Sequence, residues 1–460
     1  MPDKAGSARD AALWTLRQWR EGRRPEYAIK ESFSMFGLDR RDRALAMELT
    51  YGVVRNRIFL DYILSRFIKE TKKGVPDEVR DVLRLAAYQI TFLTKIPPHA
   101  AVNEAVTEVK RIKGQGAGGF VNAVLRSLLR DPGASDLNEL SGDPARQAAV
   151  RYSYPDWLAR RWTERLGPEA GVALMKAGDG IPPITLCVNT LKTTRTELKA
   201  SFISKGVQCS ETLLSPDGLT VSGAPSVAEL PGFAEGLFWV QDEAAQLVSM
   251  LVAPPPPLTK GGGGDFTILD ACAAPGGKSA HLYALSGGKA RVVAMDIGDI
   301  GLDKIRLLEE NMGRLGFTGV KAVVADAVGP LPFEGKFDAV LLDAPCSALG
   351  VIRRRPEIKY ARRREDIPRL AELQKRMLGN LAQYLRPGGV LVYSVCSTEP
   401  EEGEKVIEGF LAENGEFRLD DPRPFLPDAA RGLADENGFI RTWPHLHGTD
   451  GFFTARIIKQ

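Results

Sequence analysis

Residues 266–278 read Phe266-Thr-Ile-Leu-Asp-Ala-Cys-Ala-Ala-Pro-Gly-Gly-Lys278. A short apolar run ends in an acid, and a loop of small residues with two adjacent glycines follows. This is the pattern of a buried strand turning into a helix. Two further junctions of the same kind lie downstream. Residues 337–342 lead into Asp343-Ala-Pro-Cys-Ser347, and residues 389–392 lead into Tyr393-Ser-Val-Cys-Ser-Thr398. In an open α/β sheet, ligands and reacting groups collect beyond the carboxyl ends of parallel strands. One glycine-rich loop and two thiol-bearing loops therefore predict a single pocket that binds a nucleotide-like cofactor and forms a covalent bond to its substrate. The competing reading makes Cys346 and Cys396 small core hydrophobes, since free cysteine is among the most buried residue types. Their pairing and their Pro and Ser neighbours weigh against that reading.

The loop Cys272-Ala273-Ala274-Pro275-Gly276-Gly277-Lys278 opens a helix, so Gly276 and Gly277 let backbone N–H groups approach a ligand closely. A Walker A loop needs glycine where Cys272 stands, and a G-x-G-x-x-G dinucleotide fingerprint is absent. Asp296 ends the next expected strand, where an acid accepts hydrogen bonds from a ribose. Asp326 ends the one after, near where an adenine would lie. Each aspartate alone also reads as a cap or turn residue. As an ordered series they favour an adenosine ligand without a triphosphate.

Working outward, strands are expected at 266–269, 291–295, 322–325, 339–342 and 390–393. Ile305, Leu308, Met312 and Leu315 mark a helix between the second and third. This alternation predicts a doubly wound, mainly parallel, Rossmann-like sheet. Residues 253–264, with Pro254 to Pro257 and four consecutive glycines, read as a surface loop without chemistry. Upstream, 183–190, 219–221 and 236–240 read as strands and 194–205 as a helix, giving a small α/β middle domain. Residues up to about 130 read as successive helices. Val102, Ala105, Val106, Val109 and Ile112 form one apolar stripe, and arginines are frequent throughout. The division expected is 1–140 helical, 144–235 small α/β and 236–460 Rossmann-like.

With 44% hydrophobic and 26% charged residues, the 460-residue chain holds enough apolar material for more than one core. A net charge of +3 is too small to argue for nucleic acid, so local clustering must. No apolar run approaches a membrane span, and the amino terminus lacks the pattern of a signal peptide. The cysteines are five in number without metal spacing, which predicts free thiols in a reducing cytoplasm and no metal site. The dense basic segment after Cys346, with Arg353, Arg354 and Lys359 and then Arg362-Arg-Arg364, reads either as a solvated face or, beside a catalytic loop, as a grip on a nucleic-acid backbone, the reading preferred.

From about residue 144 onward the chain resembles the Sun family of RNA 5-methylcytosine methyltransferases. The three quoted loops carry the likeness, together with Gly350-Val-Ile-Arg-Arg354 and His447-Gly-Thr-Asp-Gly-Phe-Phe453. The helical amino-terminal part is similar to a NusB-type RNA-binding domain, and the middle part to an RRM- or ferredoxin-like fold. That combination is similar to bacterial enzymes acting on one cytosine of 16S rRNA. The resemblance implies S-adenosylmethionine as cofactor, held by residues 272–278 with Asp296, Asp326 and Asp343. It assigns attack on cytosine C6 to Cys396, assistance in proton removal to Cys346, and a hold on cytosine N3 to Asp343. Lys278 stands where it could polarise the base. DNA cytosine methyltransferases attack through a Pro-Cys loop like Pro345-Cys346, so spacing leaves the division of labour between the thiols open.

The expected protein is therefore a cytoplasmic, monomeric rRNA cytosine C5-methyltransferase. Methylation of tRNA or of another rRNA cytosine is the nearest alternative. A non-catalytic RNA-binding or antitermination factor is the other, although such a factor needs neither thiols nor a cofactor loop.

Overall fold

The computed structural model describes residues 6–69, 74–131, 133–140, 142–223, 226–252, 266–297 and 302–460. The Pro/Gly segment at 253–264 lies outside them. The chain forms two compact units: residues up to Gly180 with Arg355–Ala361, and Ile181–Arg354 with Arg362–Gln460.

The first unit is built from helices α1 (Ala8–Arg20), α2 (Pro25–Met35), α3 (Arg40–Arg55), α4 (Arg57–Ser65), α5 (Asp77–Phe92), α6 (Pro98–Lys113), α7 (Gln115–Arg130), α8 (Pro144–Arg151), α9 (Asp156–Leu166) and α10 (Pro168–Asp179). Local chemistry sets their ends. Ser7 and Asp10 close a capping box on α1, and Asp39 caps α3. Gly114, at φ +84°, ends α6 in a conformation that a β-carbon disfavours. Leu16, Leu49, Leu83, Val109 and Leu125 are buried in one core. The expected stripe on α6 holds for Val102, Ala105 and Val109, but Ile112 is exposed, in the last turn among exposed Lys110, Arg111 and Lys113. The helices α8 to α10 lie in this unit, ahead of the small sheet.

The second unit contains two sheets. The smaller has strands β1 (Ile184–Val188), β2 (Gln208–Glu211), β3 (Gly218–Ser222) and β4 (Phe238–Val240) in the order β2-β3-β1-β4, all antiparallel. Helix α11 (Arg195–Ser204) starts at a Thr194–Glu197 capping box and packs Leu198 and Phe202 onto Leu186, Leu219 and Phe238. Strand β2 has no apolar alternation. It is a largely exposed edge, held by the ladder to β3 and by Glu211, which pairs with Lys199 at 2.9 Å and Arg195 at 3.0 Å on α11.

The larger sheet runs β10-β12-β9-β8-β5-β6-β7, with β11 beside β12. Its parallel part is β5 (Thr267–Ala271), β6 (Arg291–Asp296), β7 (Val320–Val324), β8 (Phe337–Asp343) and β9 (Leu385–Val395). Strands β10 (Phe417–Leu419), β11 (Ile440–Thr442) and β12 (Phe452–Lys459) are antiparallel additions at one side. Helix α12 (Glu243–Val252) is buried along its whole length; its residues are mostly apolar or small, and its two larger polar ones are paired, Glu243 accepting from Ser215 N–H at 2.8 Å and Gln246 donating to the Gln241 carbonyl at 3.0 Å. Helix α13 (Gly277–Leu285) leaves the glycine loop, and α14 (Leu302–Leu315) buries Ile305, Leu308, Met312 and Leu315 as its periodicity predicts. From β5 the chain moves one way to β6 and β7 and the other way to β8 and β9. The sheet therefore has its switch point at the carboxyl ends of β5 and β8, where the loops part and leave a crevice.

Candidate active site

The loop after β5 is shaped by two left-handed residues, Cys272 at φ 65° and Gly276 at φ +100°. At Gly276 the conformation and the space agree, because an added Cβ would come within 3.0 Å of Met312 Cε. Asp270, next to last in β5, is fully buried. Its Oδ2 accepts from Ser279 Oγ at 2.5 Å, while Oδ1 has no partner among the described residues. Burial pushes this carboxyl up to about 7, against the pull of the Ser279 hydrogen bond and the Lys278 charge. Burial and the nearby aspartates also raise the Cys272 thiol, which favours its neutral form.

Across the crevice, Asp343 ends β8 and accepts from Lys278 Nζ at 2.7 Å. The same ammonium lies 5.3 Å from the centre of the Phe452 ring. Burial draws Lys278 down, but the charge and hydrogen bond of Asp343 outweigh it and the lysine ends above its ordinary value. Cys346 Sγ and Cys396 Sγ are 3.3 Å apart, brought together from the ends of adjacent strands β8 and β9. Cys396 lines the cavity, and Cys346, 8% exposed, is buried next to it. The hydrogen bond to Cys396 and then burial raise the Cys346 thiol well above its ordinary value. The two sulfurs are close enough to exchange a proton. The cavity between these groups measures about 290 Å³ and is walled by Asp270, the 272–275 backbone, Gly277, Lys278, Asp343 and Cys396.

Several expected residues stand elsewhere. Asp296 is buried under the loop, its carboxylate accepting from Ala274 N–H at 3.0 Å and Ile297 N–H at 2.9 Å. Asp326 is exposed and accepts from Val328 N–H. Neither belongs to the cavity wall described here. The expectation that Arg353 and Lys359 grip RNA needs correction, because both are buried and engaged. Arg353 is 7% exposed and pairs with Asp450 Oδ1 at 2.6 Å and Asp242 Oδ2 at 3.3 Å. Lys359 is fully buried in the helical unit, donating to the carbonyls of Tyr152 at 2.7 Å and Arg55 at 3.1 Å. Arg354 is partly exposed on the cavity wall and bridges Asp450 Oδ2 at 2.7 Å and Asp242 Oδ2 at 2.6 Å.

Sequence reading missed Asp242, Asp450, Phe452 and Glu402. Asp242 carried a signal, as an acid between a strand and an apolar helix, and its Oδ1 indeed accepts from Ala244 N–H at the start of α12. Asp450 and Phe452 lay inside a quoted segment without a role. Glu402 carried none.

A Rossmann-type sheet with a small-residue loop, paired thiols and a Lys–Asp pair at its switch point, preceded by a helical RNA-binding domain, defines an RNA methyltransferase. The chain belongs to the RsmB/F family of 16S rRNA methyltransferases, whose model matches residues 262–458. The NusB family matches 6–130, and the ferredoxin-like domain of RsmF/B-like methyltransferases matches 154–228, beginning ahead of the unit division at Gly180. The chain is 36% identical to the "Probable ribosomal RNA small subunit methyltransferase B" of Bacillus subtilis (strain 168), over 99% of this chain and 100% of that protein. It is 37% identical to the ribosomal RNA small subunit methyltransferase B of Vibrio cholerae, over 91% and 90% of the two. A solved methyltransferase homolog from Pyrococcus horikoshii is 28% identical and covers 69% of this chain and 99% of its own, with a TM-score of 0.57. Among the described residues, no helix is long and apolar enough to cross a membrane.

Proposed function

We propose that this rRNA methyltransferase transfers a methyl group from S-adenosylmethionine to C5 of one cytosine in 16S rRNA, through a covalent bond between Cys396 and C6. The observation that carries the reading is the asymmetric pair of thiols: Cys396 lines the cavity while Cys346 is buried, its sulfur 3.3 Å from that of Cys396. The cavity wall fits the cofactor. It offers small-residue backbone at the start of α13 and the orphan Oδ1 of buried Asp270, a site for a cationic or hydroxyl group. When bound, S-adenosylmethionine supplies an electrophilic methyl group on a sulfonium.

The chain's own residues do the rest. C5 of cytosine is a poor nucleophile, so the Cys396 thiolate adds to C6 and the C5=C6 π pair moves onto C5. Asp343, fixed by Lys278, faces the N3 edge as a carboxylic acid when the base binds; its proton passes to N3 as the added charge arrives and returns to it when C5=C6 is restored. After C5 is methylated, its remaining proton must leave and the S–C6 bond must break. Cys346 is placed to relay both changes. Its proton passes to the departing Cys396 sulfur, and it takes the C5 proton in exchange. The C5–H pair then restores C5=C6, and one proton returns to solvent before the next turnover. A base that reaches the thiol has left its stack, so a single-stranded or loop cytosine suits the site. The activity is placed in the cytoplasm, where paired thiols stay reduced.

Methyl transfer from labelled S-adenosylmethionine to 16S rRNA, mapped by nuclease digestion and mass spectrometry, tests the reading. One 5-methylcytosine is expected. Cys396→Ala should lower transfer by ~10⁴-fold or more. Cys346→Ala should leave a protein–RNA adduct that survives a denaturing gel. Normal turnover by Cys396→Ala would refute the assignment.

A further inference from the structure

Directly behind the two thiols lies a carboxylate that the reaction as written does not use. Glu402 is fully buried. Its Oε1 accepts from the backbone N–H of Ser347 at 2.7 Å and from Gln374 Nε2 at 3.1 Å. Its Oε2 accepts from Ser347 Oγ at 2.5 Å and Ser397 Oγ at 2.6 Å, and those hydroxyls are 3.1 Å apart. Ser347 directly follows Cys346, and Ser397 directly follows Cys396. One carboxylate thus ties together the residues next to both thiols. Gln374 extends the tie to the Pro345 carbonyl at 3.0 Å, and the Tyr393 hydroxyl donates to the Glu402 carbonyl at 2.6 Å.

Each of these donors is neutral, so the carboxylate is held without a salt bridge in this network. Burying an uncompensated carboxylate is expensive, and an apolar residue would pack two loops together more cheaply. What an apolar residue lacks is four acceptor positions of fixed direction, which hold two loops at one spacing. The Glu402 charge also adds to the elevation of the Cys346 thiol, favouring the protonated form that the relay requires.

We infer that Glu402 is the positioning residue of the two-thiol site, clamping the Cys346 and Cys396 loops at the separation that lets Cys346 resolve the covalent intermediate. The inference rests on the division of labour proposed above. It requires that loss of the clamp impair resolution more than attack, because Cys396 still opens into the cavity while its partner drifts.

The test compares single-turnover methyl transfer, multiple turnover and adduct retention on denaturing gels, using the full chain, labelled S-adenosylmethionine and 16S rRNA. Glu402→Ala should lose ~10²-fold in multiple turnover while accumulating adduct as Cys346→Ala does, the scale expected when a reacting group is misplaced by about 1 Å. Glu402→Gln retains an oxygen for Ser347 N–H, and the two hydroxyls can rotate to accept from its amide. It should recover turnover to within ~10-fold of wild type. Ser397→Ala removes one donor and leaves the carboxylate in place. It should show the same imbalance at ~10-fold, and it decides the matter if Glu402→Ala does not fold. Wild-type turnover by Glu402→Ala, or lost turnover without adduct while Cys346→Ala accumulates it, would overturn the inference. If Cys346→Ala itself gives no adduct, the two-thiol reading fails and the positioning role falls with it.

Discussion

Lys278 and Lys359 are both withdrawn from water, one in the wall of the catalytic cavity and the other among the helices of the first unit. Lys278 meets a carboxylate oxygen of Asp343 at 2.7 Å, whereas Asp179, which pairs with Lys359, lies at 3.8 Å, beyond hydrogen-bonding range. The remaining company of Lys359 is two carbonyls, the Tyr154 ring at 4.4 Å and the charge of Arg55. At an effective dielectric of ~20 the two ion pairs are worth ~6 and ~4 kcal/mol, before the hydrogen bond adds to the closer one. The outcomes diverge accordingly. Lys278 ends above its ordinary value, while burial takes Lys359 down to about 7, Asp179 opposing and Arg55 assisting. Burial alone therefore says little about what a lysine does. A carboxylate in contact keeps the charge fixed where a reaction can use it, and a more distant one leaves a polar plug.

The largest effect should come from breaking the closer pair. Lys278→Met leaves Asp343 without its clamp beside the base pocket, and methyl transfer should fall ~10²–10³-fold, the scale for losing one preorganised electrostatic contact. Assays with labelled cofactor check this at saturating RNA. A loss under tenfold would make the pair structural and erase the contrast with Lys359.

Lys359→Met should spare the chemistry and change the pH dependence of stability. The folded value near 7 lies below the ~10.4 of free lysine, so between them the unfolded chain holds a proton that the folded chain has released. Stability from this group therefore rises with pH across that window, by at most ~1.4 kcal/mol per unit, and levels off above it. Chemical denaturation of wild type and variant at pH about 6.5, 8 and 9.5 should show wild type gaining relative to Lys359→Met at each step. Parallel curves would mean that Lys359 stays charged throughout and that the two lysines do not differ.

The comparison also marks where sequence stopped being informative. The five parallel strands and the cysteine loops were legible because each joins an apolar run to a polar turn, a signal contained in ten or so neighbouring residues. The contents of the cavity wall were only half legible. Lys278 and Asp343 lie 65 residues apart, and nothing local to either announces a 2.7 Å contact. Arg353 and Lys359 misled for the same reason: a basic run reads as a solvated or RNA-gripping face unless the distant acids Asp242, Asp450 and Asp179 are known to receive it. Strand β2 was lost because an exposed edge needs no apolar pattern, and Glu402 because its partners sit 5, 28 and 55 residues away.

The same distinction between engaged and available charge bears on how RNA is held. Within the basic segment, Arg353 and Lys359 are buried, while Arg363 and Arg364 are exposed. Affinity that depends on phosphate contacts falls with salt, because each cation that neutralises a phosphate releases a counterion. Replacing an exposed, phosphate-binding arginine should shallow the plot of log affinity against log salt by ~0.7–0.9. Arg363→Ala and Arg364→Ala are expected to do so, each at a cost of about 1 kcal/mol or less at physiological salt, with little regard for RNA sequence. Lys359→Met should leave the slope unchanged, since a fully buried ammonium bonded to two carbonyls has no counterion to release. Filter binding of 16S rRNA fragments across a salt series reads the slopes directly. A slope that changes for Lys359→Met and not for the exposed pair would return the RNA contact to the residue that burial removes from it.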